Sequence, residues 1–302
     1  MRPRTGGKGR QMKAHEVNPK DYFEKLPLDR GDVLGSWLSK SSLWELTKCS
    51  LYKWRFAPPK APTDSMSRGS LIDILALTPE LESEMVAVLP FKDLRTKDAR
   101  EWKAEAELDG LVVTKEEDME TARQAAEILT SKCEGSAELL AKSEKQVVIL
   151  GQRLGANLRG LVDIAPAGER YLADLKTTAN FSLEGFGKTI ATFGYHLQAA
   201  LYLDLWNGQF PNDQREGFRF VWQDVNPPYE VCITEMSAFD LAAGLDLADW
   251  LTGRIVRAAK TKHWPMLEQG RVPMVGRPSW ACIAEDEMMA EAVEAPALEV
   301  VE

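Results

Sequence analysis

Three polar side chains within residues 159–178 (RGLVDIAPAGERYLADLKTT) have the types and spacing of a compact site for a divalent metal ion. They are Asp163, Asp174 and Lys176. Mg²⁺ prefers oxygen ligands and keeps several waters, so two carboxylates, one backbone carbonyl and a substrate phosphate suffice to bind it. Two short strands joined by a tight turn would bring both carboxylates and the lysine together.

The chemistry that such a site supports is hydrolysis of a phosphodiester. A bound divalent ion can hold the attacking water and stabilise the leaving oxygen of an in-line displacement. A neighbouring lysine can orient that water, lower its pKa or balance the developing charge. The tripeptide Asp-x-Lys is common, however, and the residues alone leave a structural salt-bridge cluster open as the alternative.

Three strand-like segments would position these residues. Residues 144–151, 158–165 and 170–177 are rich in apolar side chains, and short Gly-containing turns join them. Side chains alternate along a strand, which predicts that Asp174 and Lys176 share one face. Asp163 lies among apolar neighbours, and a buried carboxylate is costly unless it is paired or bound to metal.

A helix on each side of these strands adds polar groups. Residues 183–206 predict one long helix, on which Tyr195 and Gln198 share a face that lines the site. Upstream, a shorter helix that begins near Ser67 has an apolar face, and Asp73 is its polar exception. Two interpretations of Asp73 stay open: an exposed helix acid, or a side chain that reaches the metal.

The order of the elements predicts an α/β fold with a central mixed β-sheet flanked by helices. Helices come first, then the three strands, the helix of residues 183–206, two strands within residues 217–236 and a last helix. Three cations end that last helix, and their default role is to complement the helix dipole. Contact with a phosphate is the alternative for these residues, which are Arg254, Arg257 and Lys260.

Composition excludes several classes of protein. No apolar run reaches about 18 residues, so no segment is predicted to span a membrane. The basic N-terminus lacks the apolar region of a secretory signal. Four scattered cysteines without a Cys-x-x-Cys pair predict reduced thiols in a cytoplasmic protein. P-loop, dinucleotide-binding and serine-hydrolase motifs are absent. The net charge of −9 gives no support to a nucleic-acid partner, although a local groove can still bind phosphates.

Charge patterning predicts three regions. Residues 1–30 are expected to form a disordered basic arm, since residues 1–13 carry five cations and no acid. Residues 31–277 are expected to form a single domain. Residues 278–302 carry seven acids without Lys or Arg and are predicted to be a disordered acidic tail.

With these motifs in order, the sequence resembles the PD-(D/E)XK nuclease superfamily. The run from GLVDI through YLADLKTT to GYHLQAALYLD carries the resemblance. More narrowly, the chain is similar to the exodeoxyribonuclease VIII (RecE-type) branch of phages and prophages. The segment SKSSLWELTKCSLYKW resembles that branch's N-terminal helix, and RGSLIDILALTPE resembles its Gly-led helix. The segment FRFVWQDVNPPYEVCI resembles its closing hairpin, and HWP resembles its Trp-Pro motif. The resemblance covers about residues 36–282.

The resemblance implies roles for the residues of the strands. Asp163 and Asp174 would be metal ligands, and the Leu175 carbonyl would be a third. Lys176 would be the catalytic lysine. The implied cofactor is Mg²⁺, with Mn²⁺ as an alternative.

The resemblance also implies roles for residues outside the two central strands. Gln198 and Tyr195 would steady the site and the substrate. Glu144 matches a family acid near the metal. Asp73 stands where the family helix has histidine. Aspartate is still an oxygen ligand, so metal binding could survive, but the geometry of a second metal is in doubt.

The substrate and partners that the resemblance implies are those of a recombination nuclease. It would digest one strand of linear double-stranded DNA from its ends, 5′ to 3′, in bacterial or phage-infected cells. It would form ring-shaped homo-oligomers and act with a single-strand-annealing protein. No iron–sulfur cluster is expected, because a close cysteine trio is missing downstream. Two other functions stay open: a catalytically silent nuclease-fold protein that binds DNA or a partner, and a Mg²⁺-dependent endonuclease.

Overall fold

The computed structural model describes Val17, residues 22–58, residues 64–267 and Ile283, and within residues 64–68 only the helical backbone. The described strands are, in chain order, β1 (Trp37–Ser39), β2 (Val86–Val88), β3 (Val112–Thr114), β4 (Ser143–Arg153), β5 (Ala156–Pro166), β6 (Tyr171–Thr178), β7 (Gly217–Asp224) and β8 (Val231–Glu235). The described helices are α1 (Tyr22–Lys25), α2 (Lys40–Leu46), α3 (Leu51–Phe56), α4 (Asp64–Leu77), α5 (Glu82–Met85), α6 (Lys97–Leu108), α7 (Glu116–Glu127), α8 (Glu134–Ala141), α9 (Leu183–Phe193), α10 (Tyr195–Gln209) and α11 (Ala238–Thr261). None of these helices is long and apolar enough to cross a membrane.

Strand β5 lies at the centre of a six-stranded mixed sheet. Along one edge it pairs antiparallel with β4 over its whole length. Along the other edge it pairs with β1, in parallel, at residues 157–159, and with β6, antiparallel, at Ile164 and Ala173. Strand β7 then pairs with β6 in parallel, and β8 pairs with β7 antiparallel. Because a strand has only two edges, β1 and β6 share one of them, and residues 160–163 of β5 face the gap between β1 and β6.

Helices pack on both faces of this sheet. On one face α2, α3, α10 and α11 cover a core that includes Leu158, Leu172 and Trp222. On the other face α4, α7 and α8 cover a core that includes Ile164 and Leu175. The predicted α/β fold, a central mixed sheet flanked by helices, is confirmed.

The single helix predicted over residues 183–206 is wrong, because two helices, α9 and α10, meet at Gly194. This glycine has a φ of 66°, in the left-handed region that residues with a Cβ rarely adopt. It ends α9 and begins α10. A Cβ at Gly194 would lie 2.3 Å from the ring of Trp44 on α2. The break therefore depends on packing against a distant helix, which the local apolar pattern does not reveal.

A second sheet, of two strands, lies within residues 86–114. Strands β2 and β3 pair in parallel, from Val86 with Val112 to Val88 with Thr114. Parallel neighbours need a crossover connection, and α6 provides it. This small sheet lies beside α4, the helix that carries Asp73.

The packed part of the chain begins before the predicted boundary at residue 31. Tyr22 and Leu26 are buried with Val17 and Val148 in a cluster of their own. The Arg159 guanidinium donates a hydrogen bond to the Tyr22 carbonyl (2.8 Å). The prediction of a disordered arm is therefore wrong for residues 22–30. The other residues of the predicted arm lie outside the described residues, except for Val17. The predicted acidic tail also lies outside them, except for Ile283.

Candidate active site

The gap between β1 and β6 is where the predicted catalytic residues meet. Asp163 lies on β5 at the edge of this gap, next to the pairing of Ile164 with β6. Strand β6 diverges from β5 beyond that point. The backbone N–H of Leu175 consequently does not pair with β5 and donates to Oδ2 of Asp163 (3.1 Å). The first predicted carboxylate is thus fixed to the backbone of the strand that carries the other two residues.

Asp174 is the most buried charged residue of the site, with 1% of its surface exposed. Its Oδ1 accepts a hydrogen bond from the side-chain amide of Gln198 on α10 (2.7 Å). Its Oδ2 forms an ion pair with the Lys176 ammonium but accepts no hydrogen bond of ordinary geometry within the described part of the chain. As the alternation of β6 predicts, Asp174 and Lys176 both face α10, and Leu175 packs on the opposite side.

Lys176 is held in its ammonium form. Burial alone would lower the pKa of this lysine, but the opposite charge of the Asp174 carboxylate outweighs burial and raises the pKa. The ammonium also lies 4.8 Å from the centre of the Tyr195 ring, a favourable cation–π distance. A permanently protonated lysine cannot accept a proton from water. The three roles predicted for Lys176, namely to orient the water, to lower the pKa of that water and to balance the developing charge, are all compatible with this state.

Asp163 has a second support that the sequence did not reveal. The ladder between β4 and β5 skips one position, Gln146 opposite Asp163. Gln146 has a φ of 54°, which is rare for a residue other than glycine. Its side-chain amide donates to Oδ1 of Asp163 (3.0 Å). Strained backbone of this kind persists only where the surroundings impose it and is frequent at functional sites. The sequence EKQVVILG predicted an ordinary strand and gave no sign of the left-handed backbone at Gln146.

Gln146→Gly is expected to lower kcat about tenfold without lowering the melting temperature. Glycine relieves the left-handed φ, which costs roughly 1–2 kcal/mol for other residues. That gain offsets the loss of one hydrogen bond, worth about 1 kcal/mol. Steady-state kinetics and thermal unfolding measure the two effects. Gln146→Ala is the matched variant, which loses the amide and keeps the strain, so it should lose both activity and stability. Full activity in both variants would remove Gln146 from the site.

Asp73 lies near the cluster, on the same face of α4 as Gly69. Gly69 approaches β6 so closely that a Cβ would lie 3.3 Å from Thr177 Oγ1, and residues four apart share a helix face. Burial and the charge of Asp174 raise the pKa of Asp73 to about 7, against the opposing effect of Lys176. Its side chain is half-buried. The exposed-acid interpretation therefore does not fit this environment.

Asp73→Asn is expected to stabilise the metal-free protein and to impair the site. At pH 8 the carboxylate is ionised in a desolvated place beside another acid, so its removal should raise the melting temperature by roughly 2–4 °C, as about 1 kcal/mol does in a protein of this size. Activity should fall at least about tenfold. Thermal unfolding in EDTA and cleavage assays measure the two effects. An unchanged melting temperature with unchanged activity would restore the exposed-acid interpretation.

Lys40, at the start of α2, is a site residue that sequence reasoning missed. Its ammonium donates to the Phe193 carbonyl (2.7 Å) and lies 4.8 Å from the centre of the Tyr195 ring. Burial first, and then the charge of Lys176, lower the pKa of Lys40 to about 7, while Asp174 opposes this shift. Its position in the sequence, inside the run SKSSL, resembled an exposed helix start and gave no sign of burial.

Lys40→Met is expected to stabilise the protein most below pH 7. The unfolded chain keeps the Lys40 proton up to about pH 10.5, whereas the folded protein releases it near pH 7. The charged folded form is therefore disfavoured below pH 7, and stability rises with pH between these two values. The gain in melting temperature should be largest at pH 6 and nearly absent at pH 10. Lys48 and Asp240 also lie in this region, so a pH series of the wild type is needed as the reference. A gain that does not depend on pH would contradict the buried charge.

The structure does not bring every predicted residue into the cluster. Tyr195 and Gln198 contact Lys176 and Asp174, as their shared helix face predicted. Glu144 lies at the start of β4 with an exposed side chain. It is not among the charges that shift the pKa values of Asp73 or Asp163. Its predicted role as a metal ligand stays a prediction.

The charge balance of the cluster indicates whether a divalent metal fits here. Burial raises the pKa of Asp163 well above its usual range, and the nearby carboxylates of Asp174 and Asp73 raise it further. Oδ2 of Asp174 is buried, and among the described residues its partner is the Lys176 ammonium, with which it forms an ion pair. Within the described residues, no three His, Cys, Asp or Glu side chains are gathered closely enough to enclose an ion by themselves. The carboxylates of Asp163 and Asp174, on neighbouring strands, are oxygen donors of the kind that divalent cations such as Mg²⁺ prefer.

The three cations that end the last helix lie away from this site. Arg254 stacks on the ring of Trp250 (4.6 Å). A Cβ added at Gly155, in the β4–β5 turn, would lie 3.9 Å from Nζ of Lys260. This turn is at the opposite end of β5 from Asp163. Both interpretations of these cations, the helix dipole and a phosphate contact, stay open.

The chain is similar to known proteins at the level of family and fold. A model of the family described as a PDDEXK-like domain of unknown function (DUF3799) matches residues 39–271. No curated protein matches the chain in sequence.

The solved structures that match this chain include the following two. A candidate exonuclease from Eubacterium rectale is 15% identical, with a TM-score of 0.55, over 89% of this chain and 98% of that chain. At this identity the likeness shows a shared fold. The structure of SSO0001 is 16% identical over 75% of this chain and 96% of that chain, and its TM-score of 0.28 does not indicate a shared fold.

Proposed function

Because the chain belongs to the family of PDDEXK-like domains, whose model spans residues 39–271, we propose that it is a divalent-metal-dependent deoxyribonuclease. The observation that carries this proposal is the convergence of Asp163, Asp174 and Lys176 at the gap in the sheet. Two carboxylates share this place with a lysine that remains charged. A simple salt bridge would need one acid and one base, and the second and third carboxylates would then be unnecessary.

The chain's own residues have distinct tasks in this proposal. Asp163 and Asp174 hold the cation, with the Leu175 carbonyl as a further ligand. Gln198 fixes the rotamer of Asp174 through its hydrogen bond (2.7 Å). The Lys176 ammonium faces the same space and stabilises negative charge on the phosphate as the transition state forms.

The metal ion, when bound, would activate a water and stabilise the leaving oxygen. Two ammonium groups, those of Lys40 and Lys176, each lie 4.8 Å from the centre of the Tyr195 ring. This arrangement keeps both positive charges near the space where a phosphate would lie. We assign Mg²⁺ as the ion, with Mn²⁺ as an alternative.

We further propose that the enzyme acts as an exonuclease on the ends of double-stranded DNA, 5′ to 3′, in phage-type recombination or repair. The motif order of the exodeoxyribonuclease VIII (RecE-type) branch supports this mode, and so does the shared fold with the candidate exonuclease of Eubacterium rectale. A homo-oligomer, a single-strand-annealing partner and a cytoplasmic location belong to the same proposal.

One assay tests the activity and its mode. Purified protein is incubated with end-labelled linear duplex and with closed circular duplex, in Mg²⁺, Mn²⁺ or EDTA. Release of mononucleotides from the linear DNA alone, and only with metal, is the expected result. Nicking of the circle would instead indicate an endonuclease of the same fold.

A catalytically silent DNA-binding protein is the second candidate. The specific observation in its favour is that the Lys176 ammonium already contacts Oδ2 of Asp174, which is the oxygen that a metal would need. Absence of cleavage with every metal, together with retained DNA binding, would support this function and contradict the nuclease.

A further inference from the structure

An exposed aromatic side chain stands beside the candidate active site. Phe193, the last residue of α9, has 50% of its surface exposed. Its ring stacks on that of Tyr195, with centres 5.8 Å apart and planes at 22°. Tyr195 in turn contacts the ammonium of Lys176. The exposed ring is thus separated from the catalytic lysine by a single side chain.

The backbone that carries Phe193 is fixed by two side chains of α2 and by Lys48, which follows α2. Lys40 donates to the Phe193 carbonyl (2.7 Å). The Trp44 indole N–H and the Lys48 ammonium donate to the Thr192 carbonyl (3.2 and 3.4 Å). Carbonyl groups at a helix C-terminus lack hydrogen-bond partners within the helix. Here the side chains of Lys40, Trp44 and Lys48 donate those hydrogen bonds. The position of the ring is therefore determined although the ring itself faces solvent.

Phe193 ends a row of aromatic rings that runs outward from the core. Tyr195 lies against Phe220 and Trp222, which are both fully buried. Within the described residues, Tyr195 is the only ring that contacts Phe193. Because half of its surface is exposed, the Phe193 ring can take a further stacking partner beside a group of charges suited to a phosphodiester.

We propose that Phe193 is a stacking platform for one unpaired nucleobase of the DNA strand whose phosphodiester lies at Asp163, Asp174 and Lys176. This inference rests on the proposed nuclease function. Stacking on an aromatic side chain suits any base, because every base has a π face. The ligand is therefore a single-stranded or frayed DNA segment, taken without regard to its sequence.

The test measures stacking directly and without cleavage. A short single-stranded oligonucleotide carrying 2-aminopurine near its end is titrated with protein in EDTA, and its fluorescence is quenched when the base stacks. Phe193→Ala is expected to weaken binding about tenfold, within the range that one stacked base contributes, and to abolish the quenching. Phe193→Trp should restore both. Phe56→Ala is the matched control, since Phe56 is a similarly exposed phenylalanine (54%) on α3.

An oligonucleotide with an abasic residue at the stacked position completes the test. It should bind to the wild type and to Phe193→Ala with equal affinity. Unchanged binding and quenching in Phe193→Ala would overturn the proposal. So would a change of sedimentation coefficient in Phe193→Ala with DNA binding unaltered, which would assign the ring to a contact between subunits.

These outcomes are separate from those for the nuclease itself. Quenching that depends on Phe193, in a protein that cleaves with no metal, would retain the platform and reject the catalytic proposal. Cleavage with identical KM in wild type and Phe193→Ala, on normal and abasic substrates alike, would reject the platform alone.

Discussion

Lys176→Ala is expected to lower kcat for DNA cleavage by about 10²–10³-fold while DNA binding persists. Loss of one group that stabilises charge in a transition state has an effect of this size. Lys176 is suited to that role because the neighbouring Asp174 carboxylate raises its pKa against the effect of burial, so that it carries its charge throughout the physiological pH range. Single-turnover cleavage of an end-labelled duplex measures the rate, and an electrophoretic shift in EDTA measures binding.

The same variant should lose stability in the absence of metal. Removal of the Lys176 ammonium leaves the Asp174 carboxylate, which is 1% exposed, without its ion-pair partner. Breaking one side of a buried ion pair costs about 3–5 kcal/mol. Added Mg²⁺ should restore part of this loss if Asp174 is a ligand. Lys188→Ala, on the exposed face of α9, is the control for removal of a lysine. Retained full activity in Lys176→Ala would exclude Lys176 from the mechanism.

The central strands could be predicted from the sequence because their signal is local. Alternation along β6 places Asp174 and Lys176 on one face whatever the rest of the chain does. The turn at residues 167–170 is short, so β5 and β6 had to be neighbours, and Asp163 had to lie near β6. The helix with Gln198 follows directly and packs back on these strands. Each of these inferences needed only sequence separation and periodicity.

The rest of the site depends on contacts between distant parts of the chain. Lys40 is buried because α2 packs against the end of α9, more than 150 positions later in sequence. Gln146 adopts its unusual φ only opposite Asp163, where the ladder is interrupted. A glycine such as Gly194 can be tolerated inside a helix, but here the helix breaks at Gly194, where the Trp44 ring packs closely against it. Such contacts leave no periodic pattern, so no reading of a single segment could reveal them.

The position of Asp73 also follows from packing. On the helix alone it was an isolated polar residue with two interpretations. The contact of Gly69 with Thr177 sets the distance between α4 and β6, and this distance makes the Asp73 carboxylate respond to Asp174 and Lys176. Asp73 therefore adds negative charge to a site that already contains two acids. In the metal-free protein this extra negative charge lowers the stability of the folded state. A bound cation would neutralise the charge and remove that destabilisation.

Asp163→Asn is expected to abolish metal binding while the protein remains folded. Asparagine keeps one oxygen that can accept from Leu175 N–H, and it removes a charge that burial and Asp174 disfavour. The melting temperature in EDTA should thus change little. Wild-type protein at a Mn²⁺ concentration 100 times its Kd should gain about 2.7 kcal/mol of stability by mass action, and the variant should gain none.

Two measurements test the loss of metal binding in Asp163→Asn: calorimetric titration with Mn²⁺, and thermal unfolding with and without the ion. Asp246→Asn removes an exposed acid on α11 and is the control for the change in net charge; its isotherm should match that of the wild type. Glu144→Gln tests the predicted ligand that the structure leaves outside the cluster. An Asp163→Asn isotherm identical to the wild type's would show that the ion, if it binds, is held by other residues. A variant that fails to unfold cooperatively in EDTA would instead assign Asp163 a structural role, with Gln146 and Leu175 as the partners that depend on it.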